Sequence, residues 1–198
     1  MLVRTQTTLR KIQRSLRFAD TKWGAQVLAI INFVKEQLAY AEKAQDLNAL
    51  AVPDENGWLP FHRALNNNAS LGSIKLLLRG NPSAVQVSDR KGVYPLHLAC
   101  EFSSVGVVHY LIGKLDDSML GHIDGNGDTI LHCACRGGNS AVVNYLLKTY
   151  ASLVSIADSQ NMLPIHLFCE ADNDERESPE YIETVWRLLL ASPEVLNS

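Results

Sequence analysis

Four copies of one signature recur down this chain at nearly fixed intervals. Aligned on histidine they read Gly57-Trp-Leu-Pro-Phe-His62-Arg-Ala64, Gly92-Val-Tyr-Pro-Leu-His97-Leu-Ala99, Gly127-Asp-Thr-Ile-Leu-His132-Cys-Ala134 and Asn161-Met-Leu-Pro-Ile-His166-Leu-Phe168. An aspartate stands three residues before each opening residue, at Asp54, Asp89, Asp124 and Asp158, with successive spacings of 35, 35 and 34. A period of this size makes each copy one supersecondary unit, which must stack on its neighbours to bury an apolar face.

Each part of the signature has a physical role. Asp-x-x-Gly is a turn signal, because the carboxylate can bond its own backbone and glycine takes a positive φ. Asn161 stands in for glycine in the fourth copy, and asparagine tolerates that conformation better than most residues. Pro60, Pro95 and Pro164 fall where a helix would begin, with φ preset and no N–H to satisfy. Ala64, Ala99 and Ala134 are small enough to let two helices approach closely. A second apolar run follows in every copy at helical spacing: Ile74–Leu78, Val107–Ile112, Val142–Leu147 and Val185–Leu190. Each unit therefore reads turn, short helix, turn, longer helix. Val85 with Val87, and Val154 with Ile156, alternate as in short extended segments that would close a unit.

The pattern resembles the ankyrin repeat, whose turn and two helices carry Thr-Pro-Leu-His-x-Ala over about 33 residues. The resemblance covers residues 50–198. It implies an all-α solenoid of stacked helix-turn-helix units with short hairpin tips, with repeats at 54–88, 89–123, 124–157 and 158–198. Residues 1–53 are then a helical N-terminal cap or a degenerate leading repeat. Three departures stand out. Leu59, Tyr94 and Leu163 replace the family's threonine, kept only as Thr129, which puts the usual Thr–His bond in doubt in three copies. Phe168 occupies a small-residue position, so the fourth copy should pack differently. A polar insertion, residues 171–180, separates its two helices.

The N-terminal region reads separately. Val27, Ile30, Ile31, Val34, Leu38 and Ala41 have helical spacing, so a long amphipathic helix is expected from Thr21 to about Ala44. Residues 1–18 carry Arg4, Arg10, Lys11, Arg14 and Arg17 with no acid. That composition suits a solvated capping helix, and it is also compatible with a mitochondrial transit peptide or a contact with an anionic surface. The formal net charge of −3 gives no general attraction to nucleic acid. No apolar run is long enough to span a bilayer. Four cysteines are too few for a disulfide scaffold in a chain of this length. An intracellular location is expected, cytoplasmic by default with the nucleus open.

No residue set points to catalysis, a cofactor or a metal. Cys133-x-Cys135 beside His132 lacks the spacing and converging pairs of structural zinc. Cys100, Cys135 and Cys169 each follow a repeat histidine by three residues and are expected as one column of small core side chains. His62, His97, His132 and His166 are structural by the resemblance. The acidic run from Asp172 to Glu183 lacks calcium-loop spacing. The resemblance implies a non-enzymatic, monomeric interaction module that binds another protein on its concave face. The alternative is a regulatory or targeting domain of a larger enzyme, channel or receptor. Carried over by position, the contact residues are Trp58, Arg90, Lys91, Val93, Glu101, Phe102, Asp128 and Arg136.

Overall fold

The computed structural model describes residues 50–171 and 178–192. The chain divides into two units, Met1–Val52 and Pro53–Ser198. The expectations for residues 1–18, for the helix over 21–44 and for most of the acidic insertion lie outside the described residues.

The described part of the second unit is helical, with no strand among its described residues. In chain order its helices are α1 (Pro60–Asn66), α2 (Leu71–Gly80), α3 (Pro95–Phe102) and α4 (Val105–Ile112). There follow the four-residue α5 (Asp117–Leu120), then α6 (Ile130–Arg136), α7 (Ser140–Thr149), α8 (Pro164–Glu170) and α9 (Pro179–Ala191). Pro60, Pro95 and Pro164 sit in the first turns of α1, α3 and α8, after Leu59, Tyr94 and Leu163 in extended backbone. That is the geometry a residue before proline prefers. Ser70, Asn139 and Ser178 cap α2, α7 and α9 by accepting backbone N–H bonds on their side chains.

Two layers result. The short helices α1, α3, α6 and α8 pack side by side in succession, and the longer α2, α4, α7 and α9 do the same. Each short helix also packs on its own longer partner. Ala64, Ala99 and Ala134 are buried in this seam, with Leu65, Ile74, Leu111, Leu131 and Leu146 around them. The fourth pair is built differently, as the sequence implies. Phe168 replaces the alanine and stacks on Tyr181 with ring centroids 4.9 Å apart and an interplanar angle of 17°. Tyr181 occupies the third position after its N-cap, where α4 and α7 carry Val107 and Val142. A larger side chain on one helix is thus met by a larger one on its partner.

One local expectation fails. Pro82–Gln86 and Ala151–Ser155 are 3-10 turns rather than extended segments. The buried residues are neighbours, Ala84 with Val85 and Leu153 with Val154, whereas Val87 and Ile156 are exposed. Two adjacent buried residues suit a tight turn and not a period of two. Only the last residue of each run, Val87 and Ile156, is extended.

The alanine seam generates a prediction. Ala134 is fully buried, so Ala134→Leu should cost about 1–3 kcal/mol through overpacking. Lys148→Ala, on the exposed side of α7, should stay within about 0.5 kcal/mol. Urea denaturation midpoints of the two variants check the ranking, and a neutral leucine would mean the seam has room.

Candidate interaction face

Each unit opens on the same hydrogen-bonded tip. One carboxylate oxygen accepts two backbone N–H groups in every copy: Asp54 from Asn56 and Trp58, Asp89 from Lys91 and Val93, Asp124 from Asn126 and Asp128, Asp158 from Gln160 and Met162. All eight bonds measure 2.8–2.9 Å. The fourth residue of each turn has positive φ, at Gly57, Gly92, Gly127 and Asn161.

Neighbouring tips are joined through the backbone. Arg90 N–H donates to the Asn56 carbonyl at 3.2 Å, Gly125 to Lys91 at 2.7 Å and Ser159 to Asn126 at 3.0 Å. Trp58 adds a side-chain link, its Nε1–H donating to Asp89 at 2.8 Å. At Gly125 a Cβ would run into the Lys91 carbonyl, and at Gly137 into that of Glu101. Close stacking therefore demands glycine at both positions.

The histidines carry the same logic inward. Nδ1 accepts the backbone N–H of the residue preceding the helix in all four copies: Leu59 to His62 at 3.1 Å, Tyr94 to His97 at 3.1 Å, Thr129 to His132 at 3.2 Å and Leu163 to His166 at 2.9 Å. Thr129 Oγ1 adds a second contact at 2.9 Å. The doubt raised by the missing threonines is resolved by this backbone donor, which every residue except proline supplies. With Nδ1 accepting, a neutral ring bears its proton on Nε2. That nitrogen reaches a carbonyl farther along the chain, from His97 to His122 just before the third tip at 3.2 Å, and from His132 to Met162 of the fourth tip at 3.1 Å. Burial lowers the pKa of His62 and His97, with the charges of Asp89 and Asp124 respectively opposing it.

The residues expected on the binding face divide into two groups. Arg90 and Lys91 are exposed at the second tip, and Phe102 is exposed at the end of α3. Trp58 and Val93 are half-buried, and Trp58 is held by its bond to Asp89 and by stacking on His62 with centroids 6.4 Å apart. Asp128 corrects the sequence reading, for its side chain has no exposed surface. The half-exposed Arg136 explains this, because its guanidinium bonds the Asp128 carboxylate and lies 3.6 Å from Glu101. Burial raises the Glu101 pKa, and Arg136 counters it. Asp128, Arg136 and Glu101 therefore form a charged cluster joining α3 to the third tip. A buried carboxylate without a partner is costly, so Arg136 is committed to structure first. The one sequence clue was spacing, since Asp128 precedes Arg136 by two helical turns.

The cysteines are free. Cys100, Cys133 and Cys135 are buried, and burial pushes their thiol pKa values up. Cys169 departs from the expected column and is exposed. Among the described residues no three His, Cys, Asp or Glu side chains converge as a metal site would need.

Two expectations follow. His62 and His97 are held neutral by burial, and their folded pKa lies below the ordinary 6.5. Their contribution is complete above that value and is lost as pH falls through it toward the folded pKa, because the unfolded chain then binds more protons. The urea midpoint should drop across that window, and the drop should shrink in His97→Gln relative to the parent. A parent midpoint that stays level would refute the assignment. In the second case, Ellman's reagent should find one prompt thiol in the folded protein, absent from Cys169→Ser, and the other three only after denaturation. Prompt reaction of Cys100, Cys133 or Cys135 would contradict their burial.

The comparisons with known proteins agree with this geometry. Residues 61–158 match the family model described as ankyrin repeats (3 copies). No curated protein is similar enough to count as a match. No helix among the described residues is long and apolar enough to cross a membrane. Stacked tips, histidines and paired helices over the matched span assign the fold, and the chain belongs to the ankyrin-repeat family.

Proposed function

We propose that the chain is a non-enzymatic module that holds a partner protein on the concave side of its solenoid, against the tips and the exposed ends of the short helices. Ankyrin repeats generally serve protein interaction, and solenoids of this kind use an extended concave surface for it. The observation that carries the reading is Phe102. It is 38% exposed at the C-terminal end of α3, in the unit that also carries the cationic tip Arg90-Lys91, with a helix pair on either side. A large aromatic in that central setting has the character of an interface anchor. Glu101 precedes it in α3, and Val93 follows the Arg90-Lys91 tip. Trp58, Asp128 and Arg136 support the face from beneath, through their bonds to Asp89, Arg136 and Asp128 respectively. We take 54–88, 89–123, 124–157 and 158–198 as the four repeats. An intracellular setting suits three buried thiols that remain free.

The test uses a partner captured with the whole chain and then purified. Phe102→Ala and Arg90→Ala should each weaken its binding by at least about 1 kcal/mol while leaving the unfolding midpoint in place. Lys75→Ala and Lys148→Ala, on the outer helices, should change affinity by less than about 0.5 kcal/mol. Isothermal calorimetry reads both. Loss of binding in the outer-helix variants alone would place the partner on the convex side.

A further inference from the structure

Among the described residues, none stacks on the outer side of the fourth helix pair. Within the array each unit meets its successor in two ways, a tip carbonyl that accepts an N–H and a longer helix that packs on the next, and His132 adds a third through its Nε2 bond to the Met162 carbonyl. The corresponding groups of the fourth unit are the Gln160 carbonyl, His166 Nε2 and α9. Among the described residues no hydrogen bond engages either polar group. On α9 the buried side is formed by Tyr181, Thr184 and Leu188, which pack on the array. Away from it stand Ile182 at 48% exposure, Trp186 at 60% and Leu190 at 76%. Their spacing of four places them in one row along the helix. This row is continuous with the interfaces that join the interior units, and it is the largest run of exposed apolar side chains on any described helix.

We propose that this face takes a second copy of the chain, tail to tail, with the two α9 helices antiparallel about a two-fold axis near Trp186. An interface between identical faces must complement itself, and this row does. Ile182 and Leu190 lie equally far from Trp186, so antiparallel packing sets each aliphatic side chain against the other on the partner helix. The flank of the row carries Glu183 and Arg187, paired within the helix. Antiparallel helices bring like flanks together, which places Glu183 opposite the partner's Arg187 and Arg187 opposite the partner's Glu183. Four charges then alternate across the axis. A parallel arrangement would put the two flanks on opposite sides of the interface, out of reach of each other. The tail-to-tail pair replaces the monomer expected from the sequence, and it leaves the concave side of both copies open.

Sedimentation velocity on the full chain, from low micromolar to several hundred micromolar, tests this. The mass should rise from 21.9 kDa toward twice that value. Trp186→Glu should remain monomeric while keeping its thermal midpoint, since the side chain is mostly exposed. Glu183→Arg and Arg187→Glu should each weaken association about tenfold by setting like charges against each other. Mixing these two variants should restore it, because one then presents two cations to the other's two carboxylates. A within-helix effect cannot produce that rescue. A parent that stays monomeric at every concentration overturns the proposal and leaves the face to a different occupant. Association that survives Trp186→Glu, or a mixture that stays apart, overturns it as well.

Discussion

Stacking in this protein depends on an imidazole that stays neutral. In every unit the Nδ1 lone pair receives the amide of the residue that precedes the short helix. In His97 and His132 the Nε2–H donates to a carbonyl farther along the chain. In His132 local turn geometry and contact between units are therefore set by opposite ends of one ring. Each such bond is worth only about 1 kcal/mol net, but an unmet buried partner costs more. His62 shows the margin, since its Nε2 is buried without a hydrogen bond and faces the Val87 carbonyl region. Protonating Nδ1 of His62 or His97 would take away the acceptor that holds its own turn.

Much of this was legible because the chemistry is short-range and periodic. The Asp-x-x-Gly tips, the prolines in the first helical turns and the alanine seam all follow from residues within one unit, and each lies where its spacing places it. Asn161 takes φ of 62°, as its place in the glycine column requires. What escaped the sequence were contacts between units and competing local preferences. Three missing threonines looked like missing bonds, but the donor is an amide that no side-chain comparison displays. Asp128 sits beside a tip and reads as surface, and only the return of Arg136 two turns later buries it. Valines at alternate positions suggested strands, and Pro82 with the neighbouring Ala84–Val85 pair made a 3-10 turn instead.

The fourth unit shows how a repeat absorbs a departure from its own pattern. Phe168 would overfill a seam cut for alanine. Tyr181 meets it by stacking, and its hydroxyl donates to the Phe168 carbonyl at 3.4 Å. The burial pattern of α9 moves accordingly, from the adjacent pairs Val107–Val108 and Val142–Val143 of earlier helices to Tyr181, Thr184 and Leu188. Thr184 also receives a bond from Asn144 at 2.8 Å, where the earlier outer helices set Lys75 over the Tyr110 ring and His109 against Tyr145. Exposure of Cys169 and partial exposure of His166 belong to the same terminal position.

The ladder that ties successive tips runs from amide to carbonyl and recruits almost no side chain. That separates the part of the molecule that can drift from the part that cannot. Glu55, Arg90, Lys91 and Gln160 project from turns whose bonds would survive nearly any replacement, so the chemistry shown there can be rewritten without refolding the chain. Gly125 has no such latitude, because the Lys91 carbonyl occupies the space of its first side-chain atom. A descendant of this sequence seeking a new partner would find its freedom at the second tip and a fixed letter at the third.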